Sequence, residues 1–139
     1  MAYRFELVNG KDAQIRILYE LLKNRVHSIS HLEIPNYDVH SSFVKSHPYR
    51  KWYLVNLEKE CLGSFYVKND NSIGLNLNQI DDGIVMSCIS FIRKNFSPRQ
   101  ASASMISSDF YINVATTNLA LIEVMHALSI SQLQVSFKI

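Results

Sequence analysis

A chain of 139 residues with a formal net charge of +2 is one domain, long enough to bury about two-thirds of the surface its unfolded form exposes. Hydrophobic residues make up 47% of it, against 4 Gly and 3 Pro, which excludes a disordered or low-complexity chain, and a pI near 8.6 is too mild to imply a nucleic-acid partner. No apolar run approaches the roughly 20 residues needed to span a bilayer, and MAYRFELVNG has no signal-peptide core, so a cytoplasmic location with no membrane partner is expected.

Residues 3–8 can form a first strand, closed by the turn dipeptide Asn9-Gly10. From Asp12, the apolar residues Ile15, Leu18, Tyr19, Leu22 and Val26 recur at helical spacing, which predicts a helix to about Arg25 with one buried stripe. The segment 27–48 carries His27, His31, His40 and His47. His27 and His31 have the spacing of a helical metal pair, but no carboxylate or cysteine set completes a ligand shell, so no metal is expected. Asn36 or Asp38 can cap a short second helix that turns Val39 and Phe43 to the core and ends before Pro48.

The stretch 47–78 organises the chain. Three runs rich in aromatic and branched residues are separated by Glu58-Lys59-Glu60 and by Asn69-Asp70-Asn71, the signature of an antiparallel meander. In the third run Ile73, Leu75 and Leu77 fall on one face, and Gly74, Asn76 and Asn78 on the other. A strand so divided lies between a core and either solvent or a ligand, and the Asn76 and Asn78 side is the place for the ligand.

Asp81-Asp82-Gly83 then leads into a helix to Asn95, with Val85, Cys88, Ile89, Ile92 and Phe96 on one face. Its N-terminus would present backbone N–H groups to an anion. Residues 97–108 read as a loop, with Arg99 either a phosphate contact or an ordinary solvated side chain. Residues 110–115 form the next strand, Thr116 or Thr117 caps a helix through Leu128 with Asn118 in its first turn, and 132–139 close the chain as a strand. The expected topology is β-α-α-β-β-β-α-β-α-β, a mixed sheet with helices on both faces. Cys61 and Cys88 fall inside a strand and a helix and read as small buried hydrophobes, not as a disulfide.

The order of these elements, together with HSSFVKSHPYRKWYLV, LGSFYVKNDNSIGLNL and YINVATTNLALIEVMHALSI, resembles the GNAT family of acetyl-CoA-dependent N-acetyltransferases over most of the chain. The resemblance implies a single α/β domain over residues 1–139, its mixed sheet mainly antiparallel, with acetyl-CoA as co-substrate and a small-molecule or peptide amine as acceptor. A homodimer is compatible with such a domain. It implies cofactor contacts from the strand end Leu77 and Asn78, from Asp82, Gly83, Ile84 and Val85 at the following helix, and from Asn118. Asn76 would touch the substrate, and His31 or His40 would act as base in the acceptor site.

Three positions depart from the family pattern. Its phosphate loop falls on Ile80, Gly83 and Val85, of which only Gly83 matches, and the Val85 side chain would crowd an approaching pyrophosphate. Asp81 and Asp82 would repel that phosphate. The family's general-acid tyrosine falls on Met125, and its following Gly-Phe pair is Ser129-Ile130 here. Two readings therefore stand side by side, an active N-acetyltransferase and a GNAT-fold binding or interaction module without that chemistry, with transfer of a different acyl group as a third.

Overall fold

The structure is a computed structural model that describes residues 2–25, 33–102 and 107–139. Strand β1 (Tyr3–Leu7) leads into helices α1 (Asp12–Lys23) and α2 (Tyr37–Lys45), then come β2 (Lys51–Leu57), β3 (Glu60–Val67) and β4 (Ser72–Leu77). Helix α3 (Asp82–Asn95), a two-residue β5 (Tyr111–Ile112) and α4 (Leu119–Ala127) complete the elements. The five strands form one sheet in the order β1-β2-β3-β4-β5, antiparallel except for the parallel β4-β5 pair. No helix among the described residues is long and apolar enough to cross a membrane.

Strand alternation divides the core in two. Val55, Phe65, Val67, Ile73 and Leu75 point to the face covered by α3 and α4, where they meet Ile84, Val85, Cys88, Ile92, Leu121 and Met125. Trp52 and Leu54 point the other way, against Val8, Ile15, Leu18 and Val44 of the α1-α2 layer. The meander and its turn triplets are where the sequence places them, and the helices lie on both faces as expected.

Two polar side chains fasten the layers. Gln14, buried in α1, donates to Glu6 Oε2 at 2.7 Å and to the Leu7 carbonyl at 2.8 Å, and accepts from the Asn9 N–H at 2.8 Å. Asn71, fully buried with φ 72, donates to the Arg99 and Ser107 carbonyls at 2.7 and 2.9 Å and accepts from the Arg99 N–H at 2.7 Å. Its own carbonyl accepts from the Tyr111 N–H. One asparagine in the β3-β4 turn thus holds both the loop before β5 and the start of β5, which explains why it is buried and why a residue tolerant of left-handed backbone stands there.

Several expectations are corrected. Val39 and Phe43 do not face the core; they are 57% and 41% exposed, and His40 and Val44 are the buried residues of α2. The apolar spacing misses this because His40 is made compatible with burial by a hydrogen bond from Nε2 to the Ile15 carbonyl, 3.0 Å. Asn118 itself caps α4, its Oδ1 accepting from the Leu121 N–H at 3.3 Å, in place of Thr116 or Thr117. The fifth strand is two residues long and not six, and residues 132–139 form no strand. Val26 lies outside the described residues.

Candidate active site

A cavity of about 880 Å³ opens on the α1-α2 face of the sheet. Its floor is the polar-facing side of three neighbouring strands: Trp52 of β2, Ser64 and Tyr66 of β3, and Asn76 of β4. Leu18, Leu21 and Leu22 of α1 and Val39, His40 and Phe43 of α2 form its walls, with Ile34 and Pro35 between them. It continues past the end of β4, along Leu77, Asn78 and Ile80, to Asn118 at the head of α4.

The sheet opens there because β5 stops early. The Asn113 N–H donates to the Ile73 carbonyl at 3.2 Å, the last bond that joins β5 to β4. By strand alternation the next backbone groups on that edge belong to Leu75 and Leu77, beyond the reach of β5. On its other edge β4 remains paired, the Asn78 N–H donating to the Leu62 carbonyl at 2.8 Å. An open strand edge at the mouth of a cavity suits an extended ligand that carries amide groups.

Aromatic rings shape the inner chamber. Tyr49 and Tyr66 stack with centroids 4.0 Å apart and planes at 4°, and Tyr49 meets Trp52 edge-on at 5.1 Å. The Tyr66 ring lies across Gly74, its cross-strand partner, in the space a side chain would need. Burial pushes the Tyr49 phenol up to about 12, with Tyr66 adding to the rise and Arg25 opposing it, and burial raises Tyr66 as well. Both phenols therefore keep their protons at neutral pH and can donate.

The expected site residues divide into two groups. Asn76, Leu77, Asn78, His40 and Asn118 line the cavity together, although they come from three elements or their edges, β4, α2 and α4. His40 donates from Nε2 to Ile15, which leaves Nδ1 as the basic nitrogen of a neutral ring, and it packs against Tyr19 with centroids 5.0 Å apart. His31 lies outside the described residues. Asn118 spends Oδ1 on its cap and retains its amide donors for a ligand.

Asp82, Gly83, Ile84 and Val85 do not line the cavity, and the structure corrects the reasons given for them. Val85 and Ile84 are fully buried in the α3 core, so Val85 crowds no ligand. Asp81 is the N-cap of α3: Oδ1 accepts from the Ile84 N–H at 3.0 Å and Oδ2 from Gln79 at 2.9 Å. These bonds, first that from Gln79 and then that from Ile84, hold the Asp81 carboxyl below its ordinary value. A carboxylate of the chain itself therefore occupies donors that a phosphate would use. Met125 is buried in the core and offers no acid to the cavity. In the sequence Tyr49, Trp52 and Tyr66 look only like strand formers, because nothing local to them tells which face of the sheet a helix pair will leave open.

Four antiparallel strands, of which β2 to β4 are a meander, a fifth strand joined in parallel at one end, and helices on both faces make a GNAT-like α/β fold. The chain is similar in structure to a possible acetyltransferase from Clostridium difficile 630, with a TM-score of 0.54 at 11% identity over 100% of this chain and 95% of that one. It is also similar to a domain from Methanocaldococcus jannaschii DSM 2661, with a TM-score of 0.61 at 12% identity over 92% of this chain and 88% of that one. No protein-family model and no curated protein matches the sequence. At these identities the likeness speaks for the fold alone.

Proposed function

We propose that the chain is an acyl-CoA-dependent N-acetyltransferase that moves an acetyl group from acetyl-CoA to an amine acceptor. The observation that carries this reading is the continuity of the cavity from the open β4 edge and Asn118 to the chamber of His40, Tyr49 and Tyr66. The edge at Leu75 and Leu77 would pair with the amides of the pantetheine arm, and the Asn118 amide would donate to the same arm. The acceptor would enter from the side of α1 and α2, against Asn76.

The chemistry needs no nucleophile from the protein. The amine nitrogen forms a bond to the thioester carbon, the carbon–sulfur bond breaks, and its electron pair leaves on sulfur. His40 Nδ1 takes the proton lost by the amine, and a phenol, Tyr66 or Tyr49, gives one to the departing thiolate. The Ile15 carbonyl holds His40 in the tautomer that leaves Nδ1 free to accept, and burial keeps both phenols protonated, as a donor must be, while making them weaker acids.

The Asp81 cap favours a second reading, a GNAT-fold interaction module that has given up the cofactor, since its carboxylate takes the Ile84 N–H and sets a negative charge at the head of α3. Calorimetric titration with CoA and acetyl-CoA separates the two. Saturable binding, weakened in Asn118→Ala under conditions where that variant remains folded, supports the transferase reading. Heat no different from dilution with either ligand overturns it and leaves the module.

A further inference from the structure

The cavity walls carry apolar side chains that the core does not use. Val39 and Phe43 of α2, and Ile34 before it, are exposed to solvent, and all three line the cavity together with Leu18 and Leu22 of α1. Large apolar residues gathered in one concave place and left in water are what a ligand with an apolar body covers. The neighbouring rings show which kind of body fits. Phe43 meets Tyr49 and Trp52 edge-on, with centroids 5.8 and 6.0 Å away, and Tyr49 is stacked on Tyr66. One further ring extends such an array.

Charge narrows the choice. Among the described residues Arg25 and Glu33 are the charged side chains of the cavity lining, and the floor offers neutral polar groups, Ser64, Asn76 and the phenol of Tyr66. Arg25, just past α1, is exposed and forms no ion pair among the described residues. Burial raises the Tyr49 and Tyr66 phenols and Arg25 opposes the rise in both, so its guanidinium lies within electrostatic reach of the inner chamber. Glu33 is exposed as well and leads into Ile34 and Pro35 of the wall. A polyamine or another polycation is held by a cleft of carboxylates, whereas here one carboxylate is offset by one guanidinium. One cation and one anion that are not paired with each other match a zwitterion.

We infer that the acceptor is an α-amino acid with an aromatic side chain, its carboxylate held by Arg25, its ammonium drawn in by Glu33 and its ring laid against Val39 and Phe43. This assignment rests on the transferase reading. The ammonium gives one proton to solvent, and its nitrogen then bonds to the thioester carbon as the carbon–sulfur bond breaks. The second proton passes to His40, and the departing thiolate takes one from a phenol. The product, an N-acetyl amino acid, has lost the positive charge that Glu33 attracts, which favours its release.

Calorimetric titration of the full chain with L-phenylalanine, phenethylamine, L-alanine and spermidine, each with and without CoA, tests the assignment. L-Phenylalanine should bind about tenfold or more tightly than phenethylamine, which lacks the carboxylate, and than L-alanine, which lacks the ring. Spermidine should give only the heat of dilution. Arg25 is exposed, so Arg25→Gln should retain the native circular dichroism, and in that variant L-phenylalanine and phenethylamine should bind alike. With acetyl-CoA present, release of the free CoA thiol should follow the same order of acceptors. CoA binding accompanied by no heat from L-phenylalanine, by a preference for spermidine, or by a preference for L-phenylalanine over phenethylamine that survives Arg25→Gln overturns the acceptor and leaves the transferase reading intact. Absence of CoA binding overturns the transferase reading, and the acceptor falls with it.

Discussion

Placing a methyl group at Gly74 tests how the cavity floor is built. An ideal Cβ there would stand 2.5 Å from both Cε2 and the hydroxyl oxygen of Tyr66, and closer still to its Cζ. Carbon atoms at rest are about 3.5 to 4 Å apart, so the ring must lift by roughly 1 Å or more. It cannot do so alone, because Tyr49 is stacked on it with centroids 4.0 Å apart. Gly74→Ala should therefore cost about 1 to 3 kcal/mol, the usual range for overpacking. Gly74 has no left-handed backbone, so once Tyr66 is removed alanine should be the better strand residue by about 0.5 to 1 kcal/mol. The sign of the substitution should thus reverse between the native and Tyr66→Ala backgrounds. Urea denaturation followed by far-ultraviolet circular dichroism, and by the fluorescence of Trp52, reads all four corners of that cycle. An alanine at 74 that is equally harmful in both backgrounds, or harmless in both, would show that the ring is not what keeps the position bare.

Ser129→Gly should stabilise the chain by about 1 kcal/mol, seen as a higher urea midpoint, because the residue sits at φ 59 in a helix-ending turn that favours glycine. Asn71→Asp keeps the shape but removes the donors to Arg99 and Ser107, and should cost about 2 to 4 kcal/mol in the same assay. Burial pushes the Cys88 thiol from 9.0 up to about 12. The folded state then holds a proton that the unfolded state releases, so this contribution is intact below pH 9 and is lost as pH rises toward 12. Cys88→Ala should flatten the alkaline limb of a stability-against-pH curve measured by urea titration, and an unchanged slope would remove Cys88 as its source.

The order of the elements was legible because the meander announces itself locally: its strands are bounded by Glu58-Lys59-Glu60 and Asn69-Asp70-Asn71, and each pairs with its neighbour in the chain. The polar face of β4 was legible for the same reason, since alternation alone puts Asn76 opposite Leu75. What failed depended on contacts made at a distance. His40 looks polar until the Ile15 carbonyl 25 residues away receives its ring, and that burial turns Val39 and Phe43 into the cavity. Asp81 looks like a repelling charge until it folds back on Ile84 as a cap. The tail 132–139 has the right pattern for a strand, but pattern names no partner, and among the described residues no strand pairs with it.

The sheet is laid down in the order in which its strands occur, β1 through β5, so that neighbours in the sheet are also successive strands of the chain. During synthesis each strand after the first can therefore pair as soon as it emerges, because its only earlier neighbour has already been made. The longest wait falls between β1 and β2, while α1 and α2 are produced, and the other between β4 and β5, during α3 and the loop that Asn71 receives. For that interval the β4 edge is bare along its whole length and Asn71 is buried by nothing, so a nascent chain stalled between Leu77 and Tyr111 is the form most exposed to capture by a chaperone or by another strand. Closure of the Asn71 clamp is then the step that marks the end of that vulnerable interval.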